Sequence, residues 1–319
     1  MLNLDCREDI PLALDPIPSH ALDFLVKVER HYAGLMLCAR GDSAQISNAG
    51  RNPEQAPSVS EADREMDGSL ETLTGTDDQE PSLGGKLLYV GELDASGRAL
   101  LVAANIAGAA SLAVTADIAA QKQAVRDGVA DFLVTSLSEA LRILKNQVRK
   151  RETVAICIGA SREAIELEML ERGVLPDLLN SGIWGDGTSS TRCEQHGREV
   201  RPVAAEDGQT LLTWRVEAAP AIWLPKLDAI ALECLSMDMS PAAWVARRWL
   251  RLAPRYLGRL AQGGRILRCE PQSAAQFILR AEVAVAQGEI GVPVGFSFCH
   301  NDETFVAQSD QRTAPERAD

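Results

Sequence analysis

Residues 86–117, KLLYVGELDASGRALLVAANIAGAASLAVTAD, carry the clearest structural pattern in the sequence. It begins with an apolar run that is typical of a buried strand. Small and apolar residues then occupy every side of a helix, as in a helix packed tightly on a sheet, and a second apolar strand follows. A strand, a helix and a strand in this order form the unit from which parallel sheets are built. The stretch therefore predicts a parallel α/β fold.

The same alternation of apolar runs and amphipathic segments continues to residue 180. The pattern predicts further strands at 130–136, 153–160 and 176–180 and helices at 118–128, 137–151 and 161–173. Because strand-helix-strand crossovers are right-handed, we expect a doubly wound, mostly parallel Rossmann-like sheet with helices on both faces. The fold class is α/β.

The segments around this core differ in composition. Helical spacing over 11–40, followed by the apolar run LMLC at 35–38, predicts a helix and then a strand or a second short helix. Residues 41–83 are polar and acidic and contain no aromatic residue, so we expect a disordered acidic insertion. The predicted organisation is an N-terminal helical or extended segment (1–40), a disordered acidic linker (41–83), a Rossmann-like domain with C-terminal helices and strands (84–300) and a flexible tail (301–319).

The C-terminal part again mixes strands and helices. Its pattern predicts strands at 210–218, 265–271 and 292–298 and helices at 221–235, 241–264 and 273–289. Since proline removes a helical hydrogen bond, we expect the second of these helices to be bent or interrupted at Pro254.

Charge and composition exclude several classes of function. The net charge of −13 and the pI near 4.9 argue against binding to nucleic acid or to an anionic membrane surface. The N-terminus carries acidic residues where a signal peptide needs basic and then apolar ones, and no apolar window is long enough to span a membrane. The seven cysteines are scattered, as in a reducing compartment. These features predict a soluble cytoplasmic protein.

Three motifs of the predicted domain resemble the NAD-binding domain of urocanate hydratase (urocanase). The first helix carries an A-A-x-x-A-G segment at Ala103–Gly108, the second strand an L-A-V run at Leu112–Val114, and Glu168–Asp177 matches an E-x-x-x-R-G-x-x-P-D element. The resemblance covers about a hundred residues in their order. It implies a Rossmann-like fold, NAD as cofactor and a lyase of histidine degradation.

The resemblance breaks at the turn between the first strand and its helix. The family's turn is nearly all glycine, whereas this chain has Glu92–Arg98 and keeps only Gly97 of the three-glycine spacing. Glycines let the backbone approach a pyrophosphate, whose charge the helix N-H groups then bind. Side chains at Asp94 and Ala95 would crowd the pyrophosphate, and the carboxylates would repel it. The turn therefore predicts a degenerate NAD site with weak or no NAD binding.

Other residues of the altered cleft remain candidates for contacts with a nucleotide. Arg98 offers a guanidinium for phosphate. Asp117 can replace the acid expected at Thr115, although a helix N-cap explains Asp117 more simply. The family's cofactor-contacting segments are also replaced at 159–162 and 181–186. The candidate cofactor-binding residues are Glu92, Ser96, Gly97, Arg98, Asp117, Gly159 and Ser161, and no catalytic residue can be assigned.

Three further patterns have simpler explanations than a site. Two Cys-His pairs resemble zinc ligands, but they lie far apart in sequence and we predict no metal site. Cys269 follows a strand and is more simply a buried thiol than a nucleophile. A stripe of arginines interleaved with aromatic residues marks one helix, either as a solvated face or as a surface for an anion or acidic partner. The residues are Cys193, His196, Cys299 and His300 for the pairs, and Arg247, Arg251, Arg255, Arg259, Trp244, Trp249 and Tyr256 for the helix.

These observations lead to three hypotheses of function. The first is a catalytically degenerate relative of the urocanase cofactor domain, retained for binding or association. The second is a divergent lyase or reductase that uses NAD or another nucleotide at the carboxyl ends of the strands. The third is an interaction module that docks a protein through the acidic segment 41–83 and the arginine stripe. The expected partners are a second copy of the chain or another protein.

Overall fold

The computed structural model describes residues 19–49, 81–181, 197–204, 208–236, 238, 240–258, 263–300 and 303–305. Within these ranges the chain forms eight helices and ten strands. The helices are α1 (Ser19–Ala49), α2 (Ala95–Ala107), α3 (Ile118–Arg126), α4 (Leu137–Lys150), α5 (Arg162–Glu171), α6 (Pro220–Ser236), α7 (Pro241–Leu257) and α8 (Pro271–Ala286). The strands are β1 (Leu87–Glu92), β2 (Ala110–Val114), β3 (Phe132–Val134), β4 (Val154–Ile158), β5 (Leu178–Asn180), β6 (Arg198–Val200), β7 (Thr210–Val216), β8 (Gly264–Cys269), β9 (Val294–His300) and β10 (Glu303–Phe305).

The chain divides into two compact units. One unit is His31–Pro202, and the other combines Met1–Arg30 with Val203–Asp319. We call them the parallel unit and the antiparallel unit after their sheets. Residues 203–300, which are predicted above to belong to the Rossmann-like domain, lie by their contacts in the same unit as residues 1–30.

The parallel unit contains the predicted doubly wound sheet. Its strand order is β3-β4-β2-β1-β5-β6, and all five pairings are parallel. Every residue of β2 and β4 is buried, which explains why both read as continuous apolar runs in the sequence. The predicted α/β fold class is therefore confirmed.

Helices of the parallel unit pack on the sheet through small and apolar side chains. In α2, every residue from Ala99 to Ala107 is buried, and the helix ends at Gly108 in the left-handed conformation that glycine adopts without strain. A hydrophobic core cluster contains residues of the central strands, α4 and α5, among them Leu112, Leu144 and Met169. The apolar residues predicted within 86–180 thus form the hydrophobic core of the parallel unit.

The N-terminal segment differs from its prediction, because α1 is a single helix up to Ala49. The apolar run at 35–38, predicted as a strand or a separate short helix, continues the 3.6-residue spacing of the helix. Val28, Tyr32, Leu35 and Ala39 are all buried, whereas Leu37 is 44% exposed. Residues 41–49 of the predicted acidic linker belong to the same helix, since a nucleated helix extends at little cost through polar residues. The rest of that prediction, residues 50–80, lies outside the described residues.

The antiparallel unit is built on a second sheet with strand order β10-β9-β7-β8. Helices α6, α7 and α8 pack against it. Trp214, Phe277 and Phe296 form two edge-to-face ring pairs in its core, with centroids 4.9 and 5.7 Å apart. Residues 303–305 of the predicted flexible tail pair with β9 as a strand, because an open sheet edge offers them backbone partners.

The predicted helix over 241–264 is shorter in the structure, since α7 passes through Pro254 and ends three residues later at Leu257. Only three residues follow Pro254 in the helix, so the missing N-H removes a hydrogen bond close to an end that frays in any case. The N-H of Gly258 donates to the Pro254 carbonyl and closes the last turn.

Two buried ion pairs hold the antiparallel unit together. The guanidinium of Arg268 contacts both carboxylate oxygens of Glu29 at 2.7 Å and also donates to the carbonyls of Val203 and Ala204. Because these groups come from opposite ends of the sequence, the contact fastens the start of α1 to β8. The second pair joins Arg265 to a carboxylate oxygen of Asp228 at 3.0 Å.

No helix among the described residues is long and apolar enough to cross a membrane.

Asp228 makes the stability of the antiparallel unit depend on pH. Burial raises its pKa from the ordinary 3.8 to about 6, although Arg265 opposes this shift. A carboxyl with a raised pKa stabilises the fold fully below its unfolded pKa and loses that contribution as the pH rises through its folded pKa. Between pH 4 and pH 7, we expect the wild type to lose about 2 kcal/mol of unfolding free energy relative to Asp228→Asn.

Chemical denaturation of the full chain at a series of pH values measures this difference. Glu233→Gln is the matched control, because Glu233 lies on the same helix and its ion pair with Arg280 is exposed. Parallel pH curves for the wild type and Asp228→Asn would contradict the prediction.

Candidate functional site

The carboxyl edge of the parallel sheet contains the topological feature where ligands bind in doubly wound folds. From β1 the chain crosses to β2 on one side, whereas from β5 it continues to β6 on the other. Such a reversal opens a crevice outside the carboxyl ends of the two neighbouring strands. The candidate site is therefore the edge formed by the ends of β1 and β5 and by the turns that follow β2 and β4.

The turn after β1 leads directly into α2. The N-H of Leu93 donates to the Val114 carbonyl at 2.9 Å and extends the pairing of β1 with β2. Asp94 is the N-cap of α2, and its carboxylate accepts the N-H of Gly97 at 2.7 Å. The helix terminus that faces the crevice is thus bound by a side chain of the same turn.

Gly97 is where α2 approaches β1 most closely. A Cβ atom at this position would lie 2.2 Å from the carbonyl oxygen of Glu92, a distance that no side chain tolerates. In a three-glycine turn the third glycine serves this close packing of helix on strand. Gly97 keeps that role, while Glu92 and Asp94 occupy the positions of the first and second glycines.

Ser96 lies in the first turn of α2 and contacts a helix that is distant in sequence. Its hydroxyl is 3.3 Å from Nε2 of His31, a buried residue of α1. Because this histidine belongs to the parallel unit, α1 forms part of the wall beside the turn.

The electrostatics around the end of β1 are unfavourable for an anion. Glu92 is half-buried at the end of the strand, close to Cys157 of β4. Burial raises the pKa of the Cys157 thiol to about 11, and the negative charge of Glu92 adds to the shift. A second carboxylate, that of Asp94, lies two residues further on.

Arg98, the candidate phosphate ligand, is engaged elsewhere. Its guanidinium lies 2.5 Å from a carboxylate oxygen of Asp127, at the end of α3. Burial alone would raise the pKa of Asp127, but hydrogen bonds from Gln123 and Arg98 outweigh burial and lower it. This ion pair directs the arginine towards α3 and compensates its charge.

The candidates after β2 and β4 serve local structure. Asp117 caps α3, since its carboxylate accepts the N-H of Ala119 at 2.8 Å. Ser161 caps α5 through the N-H of Ala164. Gly159 lies under the side chain of Gln121, whose amide also donates to the Thr115 carbonyl at 2.9 Å.

Sequence reasoning missed three polar residues of this edge. His31 is distant in sequence and gives no local signal. Gln121 looks like an ordinary surface residue of a helix. Asn180 ends the fifth predicted strand, next to the reversal of strand order, and its amide donates to the Val90 carbonyl at 3.1 Å. Only this last position could have been found, because a polar residue at the carboxyl end of a strand in such a fold faces the crevice.

The remaining sequence candidates form no second site among the residues that the structure describes. No group of three or more metal-binding side chains occurs among the described residues. Cys193, His196 and Arg259 lie outside those residues, as do the side chains of Cys299 and His300. Cys269 is buried, and burial raises its pKa to about 12, which keeps the thiol protonated.

Part of the arginine stripe of α7 is held by hydrogen bonds within the protein. Arg247 donates to the carbonyls of Leu235 and Asp238, while Arg251 and Arg255 are exposed. Of the interleaved aromatic residues, Trp249 is buried and donates its indole N-H to a carbonyl of β8, and Trp244 and Tyr256 are half-buried. The helix therefore combines a packed face with a charged surface.

These features define a Rossmann-like α/β domain. They are the parallel sheet in this strand order, the turn after β1 with its close contact at Gly97, and the capped helix terminus at the crevice. The match to a known family is more specific. Residues 66–189 match the family model described as the urocanase Rossmann-like domain. This match covers less than half of the 319 residues of the chain.

In the family this domain is associated with NAD, and the turn after β1 is where a pyrophosphate is held in a Rossmann-like fold. The residues present do not fit that group. Asp94 takes the N-H of Gly97, which a phosphate oxygen would otherwise accept, and its negative charge lies at the same position. Arg98 is paired with Asp127 and does not offset this charge.

Gly97→Ala tests the close contact between α2 and β1. The methyl group would overlap the Glu92 carbonyl, so α2 must shift, and we expect a loss of about 1–3 kcal/mol in unfolding free energy. Gly159→Ala is the control at the same sheet edge, because its methyl group meets only the movable side chain of Gln121. Equal losses of stability in the two variants, measured by chemical denaturation, would rule out the backbone contact as the cause.

Proposed function

We propose that this protein is a catalytically degenerate relative of the urocanase cofactor domain that is retained for binding or association. The observation that carries the proposal is the hydrogen bond from Gly97 to the carboxylate of Asp94. It occupies, from within the chain, the helix terminus at which a Rossmann-like domain holds the pyrophosphate of its cofactor.

Electrostatics support the same proposal. Glu92 and Asp94 place two carboxylates at the turn, one half-buried and one exposed, and both repel the negative charge of a dinucleotide. The only arginine in this turn, Arg98, is held by Asp127 at 2.5 Å. A dinucleotide would have to displace one ion pair and one helix cap before it could bind.

Loss of the cofactor would also end the family's chemistry. In urocanase, NAD is the electrophile that adds to the imidazole ring of the substrate. A domain that cannot hold NAD lacks this electrophile, so we propose that the chain does not hydrate urocanate. Its role would then depend on a second copy of the chain or on another protein.

Thermal unfolding with NAD tests this proposal. A ligand that binds only the folded state must raise the melting temperature. At a ligand concentration of a hundred times its Kd, the free energy of unfolding increases by about 2.7 kcal/mol. We expect millimolar NAD to leave the melting temperature of the wild type unchanged and expect no turnover of urocanate. A saturable rise would contradict the proposal and favour the alternative, a divergent NAD-dependent lyase or reductase.

A triple variant distinguishes a lost site from one that never bound the cofactor. Glu92→Gly, Asp94→Gly and Ala95→Gly together return glycine to the turn and remove both carboxylates. If the site was lost by these substitutions, the variant should gain a saturable NAD-dependent rise in melting temperature.

The molar mass of the pure wild type, measured by light scattering, reports on association with a second copy.

A further inference from the structure

The second position of the three-glycine spacing holds the residue that most changes what the edge can bind. In a dinucleotide site this glycine lets the backbone approach the pyrophosphate. Here the position is Asp94, which is exposed at the tip of the turn and begins α2. The substitution places an anion where the fold would otherwise receive one.

The start of α2 lies close to the end of β1 at this turn. A Cβ at Gly97 would lie 2.2 Å from the Glu92 carbonyl, so only glycine fits there. The third glycine of a dinucleotide-binding turn serves the same close packing. The difference in this chain is that Glu92 and Asp94 stand at the first and second glycine positions.

The carboxylate of Asp94 supplies the negative charge that the start of α2 favours. A helix N-terminus carries roughly half a positive charge, spread over its first N-H groups. Asp94 accepts one of these N-H groups at 2.7 Å, and the Arg98 N-H donates to the Asp94 backbone carbonyl at 2.9 Å. A phosphate at this point would compete with a carboxylate that is covalently part of the turn.

We infer that Asp94 is the specificity-determining residue that excludes phosphate-bearing ligands from the carboxyl edge of the parallel sheet. This inference rests on the proposed function and deepens it, because it assigns the loss of anion binding to one side chain. The barrier has two parts, a negative charge and an occupied N-H group. Substitutions at the same position separate the two.

Two variants separate charge from occupancy. Asp94→Asn keeps an efficient N-cap and removes only the charge, whereas Asp94→Gly removes both the charge and the side chain. Glycine at an N-cap lowers stability by only a few tenths of a kcal/mol, so both variants should fold. Glu163→Gln is the matched control, since Glu163 is an exposed acid in the first turn of α5 and its loss changes the net charge equally.

Isothermal titration calorimetry with inorganic pyrophosphate gives the readout, and melting temperatures confirm folding. We expect no saturable binding by the wild type, whereas Asp94→Gly should bind pyrophosphate at least about tenfold more tightly than the weakest affinity that the titration detects, and Asp94→Asn should show a smaller gain. Glu163→Gln should bind no more tightly than the wild type. The gain should decrease as salt is added, because the interaction is ionic.

Three outcomes would overturn the inference. A folded Asp94→Gly variant with no gain in pyrophosphate binding would show that Asp94 is not the discriminating group. An equal gain in Glu163→Gln would show that net charge alone decides. Saturable pyrophosphate binding by the wild type would show that no exclusion exists. A failure of the proposed function would show itself in different measurements, as NAD binding or urocanate turnover by the wild type.

Discussion

The close contact between the start of α2 and the end of β1 is the constraint on which the candidate site depends. Because no side chain fits between Gly97 and the Glu92 carbonyl, the helix must begin immediately beyond the strand and direct its N-terminus at the crevice. The buried small residues of α2 then lie flat on the sheet. This contact fixes where α2 begins relative to the end of β1.

The same geometry makes a helix terminus available to whichever anion is present. In a dinucleotide-binding domain that anion is the ligand, and glycines leave room for it. In this chain the anion is the side chain of Asp94, while Arg98 is withdrawn into an ion pair with Asp127. At this turn the terminus of α2 is thus capped by a side chain of the chain itself, and the neighbouring arginine is paired with a carboxylate.

The antiparallel unit depends on contacts of a different kind. Arg268 draws together Glu29, the backbone at 203–204 and its own strand, and so joins segments from both ends of the chain. A buried charge with four hydrogen-bond contacts fixes a unique arrangement, because removing any one partner leaves the guanidinium unsatisfied. This arrangement explains why the residues that form the unit are not contiguous in sequence.

The amino-acid sequence alone predicts the parallel sheet, the resemblance of residues 84–180 to the urocanase Rossmann-like domain and a turn after β1 that contains little glycine. These features follow from local periodicity and from spacing within a few residues. The contact of His31 with Ser96, the pairing of Arg98 with Asp127 and the grouping of residues 203–300 with the N-terminal residues around a second sheet emerge only from the folded structure. Such contacts join residues tens to hundreds of positions apart, and their formation depends on how whole elements pack, which local pattern does not encode.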